Sequence, residues 1–265
     1  MYIHFFAFTL LHFAAVHLHG LSTNSVARIL GGSITSIEVA PYALVLMIND
    51  KYTCSAIIIN RRWAVTAAHC VKARDARTQR NIFSVRSGTS FLYEGGTVHK
   101  VTDVIVHENF DNVTFDYDIA LIKVTPAFTY GSSTKAVGLP QGDAESICKN
   151  WGNVCGWGLY REVDDSIDNT SSEELRCVLL PLVGKKLCSE YYKFYHNLTP
   201  RMTCYGFQEG VFDTCQGDSG AALVNKDNIL LGITSWGYKC GMPYSPGVYT
   251  DVIFLQNWIK YKTEN

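Results

Sequence analysis

The chain is 265 residues long, 47% apolar and 18% charged, with a formal net charge of −1. This balance suits a globular protein that buries a sizeable core and excludes a largely disordered chain. Near neutrality also leaves no basic face for nucleic acid.

Residues 1–20 form an apolar run, short and poorly flanked for a membrane span, that reads as a signal peptide, with a membrane anchor or a buried first helix as the alternatives. It holds four of the eight histidines, His4, His12, His17 and His19, but no Lys or Arg, and no clean small-x-small cleavage site lies between Val16 and Thr23. The expectation is a secreted, extracellular protein with no membrane attachment in its mature form. Nine cysteines agree with that route, which is oxidising. So do three glycosylation sequons, Asn112-Val-Thr, Asn169-Thr-Ser and Asn197-Leu-Thr, of which the last is disfavoured by the proline after Thr199.

Beyond the leader, short apolar runs alternate with turn-rich breaks at 42–48, 56–59, 98–106, 119–124, 229–236 and 248–252. This pattern predicts an all-β barrel or sandwich. A closing helix is expected from Val252, where Val252, Leu255 and Ile259 fall on one face with Trp258 beside them. No fixed-period repeat and no low-complexity linker divides the chain. The acidic stretch 161–174, with Asp164, Asp165, Asp168, Glu173 and Glu174, reads as an exposed loop, since its carboxylates lack the spacing and the glycine of a calcium loop.

Candidate chemistry sits at three places. Asp213-Thr-Cys-Gln-Gly-Asp-Ser-Gly220 sets Ser219 between glycines that let backbone N–H groups approach a substrate. A serine hydroxyl needs a base to take its proton, and Thr66-Ala-Ala-His-Cys70 supplies the imidazole of His69. Phe115-Asp-Tyr-Asp118 places a carboxylate at the start of an apolar strand, partly buried, where it can fix the imidazole tautomer. A lone histidine is commonly structural, and an aspartate before a strand is commonly a turn residue. The order His, Asp, Ser is what turns the three into one signal, because it is one of the known chain orders for this geometry.

These segments, together with Arg28-Ile-Leu-Gly-Gly32, Asp118-Ile-Ala-Leu121, Cys155-Gly-Trp-Gly158, Gly217-Asp-Ser-Gly220, Ser235-Trp-Gly237 and Pro246-Gly-Val-Tyr249, resemble the chymotrypsin-like serine proteases, trypsin branch, over nearly everything after residue 28. The resemblance implies two six-stranded antiparallel β-barrels with the active site in the cleft between them. It implies Ser219 as nucleophile, His69 as base and then acid, and Asp118 as the group that orients and stabilises the imidazolium. Backbone N–H groups of Gly217 and Ser219 would form the oxyanion hole. Asp213 would lie at the base of the primary pocket with Thr214, walled by Gly237 and Gly247, and so select Arg or Lys. Ser235, Trp236 and Gly237 would pair with the substrate backbone as an added strand.

The same resemblance makes 21–28 an activation propeptide and 29–265 the protease domain. Cleavage between Arg28 and Ile29 would free an α-amino group that buries itself against Asp218. It also implies disulfides joining Cys54 to Cys70, Cys188 to Cys204 and Cys215 to Cys240. Cys148, Cys155 and Cys177 are left over; a bridge from Cys155 to Cys177 across the acidic loop is one arrangement, with Cys148 then unpaired or joined to another chain. Two departures bear on efficiency. Ala221 and Ala222 stand where Gly-Pro is usual, and Ser55-Ala56 where Gly-Gly is usual, so the added methyl groups are expected to crowd these turns or alter subsite shape without removing a triad atom. The stretch 86–101 lacks the paired glutamates of calcium-binding relatives, so no structural calcium is expected, and the resemblance implies no cofactor.

The expected activity is therefore endoproteolysis after Arg or Lys, with protein or peptide substrates, an activating protease and proteinaceous inhibitors as partners. The alternative is a catalytically weak or inactive homologue that binds rather than cuts. A metal-dependent hydrolase finds no His-Glu-x-x-His run.

Overall fold

A computed structural model describes residues 32–72, 80–142, 147, 149–158, 172–210, 212–215 and 217–264. The chain folds as two rings of strands. Strand β1 (Ser33–Ile34) comes first, and the first ring follows it: β2 (Ala43–Ile48), β3 (Lys51–Ile58), β4 (Trp63–Thr66), β5 (Phe83–Ser87), β6 (Thr97–Val106) and β7 (Ala120–Thr125). They close in the order β2-β3-β4-β7-β6-β5, every pairing antiparallel. The β2–β3 hairpin turns on Asn49 and Asp50, both at positive φ (51° and 61°), the left-handed pair that matches the twist of two-residue hairpins. Leu44, Leu46, Ile57, Val65, Val85, Leu121 and Ile122, drawn from both faces of these strands, are fully buried. Full burial of each such side chain contributes about 1.5–3 kcal/mol.

The second ring comprises β8 (Trp151–Gly156), β9 (Arg176–Val183), β10 (Met202–Tyr205), β11 (Ala222–Val224), β12 (Leu230–Trp236) and β13 (Gly247–Asp251). The order β9-β10-β13-β12-β11-β8 returns to β9 through the β8–β9 pairing, while β1 lies along β9 as a seventh, outer strand. Closure removes the unpaired edges that invite aggregation. Val154, Leu180, Tyr205, Leu223, Leu231 and Tyr249 fill its interior. The expected pair of six-stranded barrels is thus what forms.

Among the described residues three α-helices complete the fold: α1 (His69–Lys72), α2 (Lys185–Tyr192) and α3 (Val252–Glu264). Helix α3 buries Val252, Leu255 and Ile259, the face expected from the sequence. Among the described residues no helix is long and apolar enough to cross a membrane. The bulk of the acidic loop (159–171), with the Asn169 sequon, and Cys148 lie outside the described residues, as do residues 1–31, which hold the leader, Arg28 and Ile29.

The barrels are stitched together where the candidate residues lie. Ser55 on β3 donates its N–H to the carbonyl of Ser219 at 2.8 Å, and Thr250 on β13 donates its hydroxyl to the carbonyl of Asp118 at 2.8 Å.

Candidate active site

His69 begins α1, directly after the buried end of β4, and Asp118 precedes β7, the strand paired with β4. The pairing brings the two together. Asp118 Oδ1 accepts the backbone N–H of His69 at 2.9 Å, and Oδ2 lies 2.7 Å from His69 Nδ1. Ser235 Oγ donates to the same Oδ2 at 2.6 Å. Asp118 is wholly buried, more than the partial burial expected, while the His69 side chain keeps 21% of its surface exposed. A buried carboxylate needs its lone pairs filled, and these three donors fill them. The imidazole is therefore held with Nδ1 towards Asp118, while the ring of Phe115 stands edge-on to it at 5.5 Å.

Ser219 sits on the turn before β11, between glycines that only glycine could occupy. Gly217 and Gly220 have φ of +92° and +82°, and a Cβ on Gly220 would collide with the Ser55 carbonyl and the Thr66 hydroxyl. The Cys215–Cys240 disulfide fastens this turn to the segment after β12. Tyr52, on β3, donates its hydroxyl to the Gly217 carbonyl. Burial, with the nearby Asp218 charge, drives that phenol's pKa far up and keeps it a neutral donor.

His69 and Ser219 border one cavity of about 280 Å³. Asp213 and Thr214 line it too, as do Ser235, Trp236, Gly237 and Gly247. Asp213 is 4% exposed and accepts N–H groups from Thr214 at 2.7 Å and Gly241 at 3.1 Å. Burial pushes its carboxyl up to about 7. The two glycines face each other: a Cβ on Gly237 would stand 4.0 Å from Gly247 Cα, and one on Gly247 would stand 3.2 Å from Asp213 Oδ1. A side chain at either position would narrow the cavity. A larger hollow of about 580 Å³, bordered by Tyr205, Leu231, Ile253 and Phe254, holds none of these residues.

Asp218 points away from the cavity, into the protein. Its carboxylate is wholly buried and accepts N–H groups from Gly158 at 2.9 Å and Cys215 at 3.0 Å. Burial pushes its pKa up to about 6. Gly156 and Gly158 make the room: a Cβ on either would collide with the Asp218 carboxylate. This is the physical reason for the Cys155-Gly-Trp-Gly158 pattern.

All three disulfides implied by the resemblance are present, and Cys155 joins Cys177 across directly opposed positions of β8 and β9. His69 lies beside Cys54 and Cys70 at metal-ligand spacing, but both sulfurs are spent in their disulfide. Ala56, Ala221 and Ala222 are 1%, 1% and 3% exposed in the barrel cores, and Ser55 is buried with its Oγ 3.4 Å from the Tyr52 hydroxyl.

Some supporting roles had no sequence signal. Ser235 stood out only for its backbone, yet its hydroxyl braces Asp118. Tyr52, Gly156, Gly158 and Thr250 gain their importance from partners 60 to 165 residues away.

Two closed antiparallel barrels, with a buried aspartate holding a histidine on one and a glycine-flanked serine on the other, define the chymotrypsin-type class of serine proteases. The Trypsin family model matches residues 29–259, and the chain belongs to that family. It is similar to Trypsin 5G1 of Aedes aegypti, 38% identical over 240 residues that cover 89% of this chain and 85% of that protein. It is similar also to the vitellin-degrading protease of Bombyx mori, 34% identical over 238 residues that cover 90% and 86%. Coagulation factor XI of Bos taurus is 33% identical over 249 residues, 92% of this chain but 39% of that longer protein.

Proposed function

We propose that the chain is a secreted serine endopeptidase that hydrolyses peptide bonds after Arg or Lys, made as a precursor and activated by cleavage between Arg28 and Ile29. The observation that carries this reading is the single cavity bordered by both His69, held by buried Asp118, and Ser219, with buried Asp213 lining the same space.

In the proposed mechanism His69 Nε2 takes the Ser219 hydroxyl proton as Oγ attacks the scissile carbonyl, and Asp118 stabilises the imidazolium that results. The oxyanion is met by the N–H groups of Gly217 and Ser219; loss of one such donor typically costs about 10² to 10³ in rate. His69 then returns its proton to the leaving amine, and water reverses the sequence on the acyl-enzyme. Substrate lies along Ser235, Trp236 and Gly237 as an added strand, its basic side chain reaching Asp213, which exchanges backbone donors for a cationic partner.

Activation follows the same chemistry. A new α-ammonium at Ile29 is the natural partner for the buried carboxylate of Asp218, and moving Asp218 towards it would pull on the Gly217-Asp-Ser219 turn that forms the oxyanion hole. Protein substrates and an activating protease are the partners this reading requires, proteinaceous inhibitors are further ones, and an N-glycan is assigned to the exposed Asn112.

Treating the activated protein with a sulfonyl or phosphonyl fluoride tests the nucleophile: Ser219 Oγ displaces fluoride and stays modified. Peptide mass spectrometry is expected to find the adduct on Ser219 and none in a His69→Ala variant. Labelling elsewhere, or equal labelling in that variant, would reject the assignment.

A further inference from the structure

Lys239 stands at the rim of the cavity under strain. It lines the same space as Asp213 and Ser219, is exposed, and holds φ at +57°, the left-handed region that favours glycine. A non-glycine residue kept in that conformation at a cleft is a reason to look for function. Its neighbour Cys240 is tied to Cys215. Apart from His69, Lys239 is the one cationic residue type among the described residues bordering the cavity. No described carboxylate pairs with it. Asp213 in particular accepts from the Thr214 and Gly241 N–H groups and forms no ion pair with Lys239, so the ammonium does not plug the pocket.

We propose that Lys239 selects substrates carrying an acidic side chain two positions before the cleaved residue. The inference rests on the reading of this cavity as the pocket for the cleaved side chain and of Ser235, Trp236 and Gly237 as the substrate-pairing edge. Side chains alternate along an extended peptide. The residue two positions before the cleaved one therefore emerges on the same side as the side chain that enters the pocket, near the rim where Lys239 lies, two residues beyond Gly237. An exposed ammonium attracts a carboxylate there and repels an ammonium, with a modest effect that salt weakens.

The test uses activated protein and peptides of the form X-Ala-Arg-amide, with X as Glu, Ala or Lys, beside a matched series with Phe in place of Arg. Binding of the same peptides, fluorescently labelled, to a Ser219→Ala protein is read in parallel by anisotropy. At low salt the preference is expected to run Glu, Ala, Lys with about threefold steps, and to shrink towards 1 M salt. Lys239→Arg keeps the order. Lys239→Gly flattens it, and this variant suits the left-handed backbone, so folding is not at risk. An unchanged order in Lys239→Gly, or no order in the unsubstituted protein, overturns the inference. If Phe peptides are cut and Arg peptides are not, the basic-specificity reading falls while the Glu preference still judges Lys239; if neither series is cut, the anisotropy order decides.

Discussion

Asp118 fixes three groups with one carboxylate: the His69 backbone, the His69 ring and the Ser235 hydroxyl. In Asp118→Asn an NH₂ group replaces one acceptor, and the ring is driven to the wrong tautomer. Steady-state kinetics should show kcat lower by about 10⁴, a magnitude carried over from the same triad in relatives. Asp213 makes a separate prediction. Its carboxyl, raised to about 7 by burial, holds its proton in the folded chain at pH values where the unfolded chain has lost it. Its contribution to stability is therefore favourable at low pH and declines as pH rises from about 4 through about 7. A cation binds only the ionised form. Calorimetric titration of the Ser219→Ala protein with benzamidine should show affinity falling towards tenfold per unit as pH drops below about 7. Asp213→Asn should remove this dependence and lower kcat/KM for Arg substrates by about 10² to 10³, the usual effect of deleting one partner of a desolvated charge pair.

At the scale of the element, strands β8 and β9 hold the acidic loop by a disulfide placed across directly opposed residues, Cys155 and Cys177. Replacing both by Ser in the Ser219→Ala protein should cost about 2–3 kcal/mol in denaturant unfolding, since the bridge closes a loop of moderate length. The end of β8 has a different task. Gly158→Ala would drive a methyl group into the Asp218 carboxylate, and overpacking of this kind costs about 1–3 kcal/mol; the activated variant should lose activity more than stability. The sequence made the apolar strands legible, and β2, β6, β7, β12 and β13 fall within a residue or two of the expected runs. Strand β5, with only Phe83 and Val85 apolar, and β8, with Gly152 and Asn153, carried too little apolar signal to stand out. Helix α2 carried little signal because it buries only Cys188 and Tyr192, which a disulfide to β10 and a small cluster with Met202 and Val248 hold in place. The His69, Asp118 and Ser219 motifs were visible because each is local. The Ser235 brace and the Gly156–Gly158 gap around Asp218 were not, because pairing between distant strands creates them.

Across the whole molecule, one barrel carries the imidazole and its carboxylate while the other carries the serine and the pocket, so the cleft exists only when both are closed and docked. Asp218 lies beneath that junction with backbone donors as its described partners, which makes the α-amino group released at Ile29 the proposed trigger. The most direct measurement of the central claim is to cleave the precursor at the Arg28–Ile29 bond and follow hydrolysis of small Arg, Lys and aromatic amide substrates, beside a Ser219→Ala control treated identically. The predicted result is little activity before cleavage, strong activity on Arg and Lys substrates after it, weak activity on aromatic ones, and none in the control. Equal activity in both proteins, or none in either, would contradict the protease reading, and a preference for aromatic residues would contradict the role assigned to Asp213.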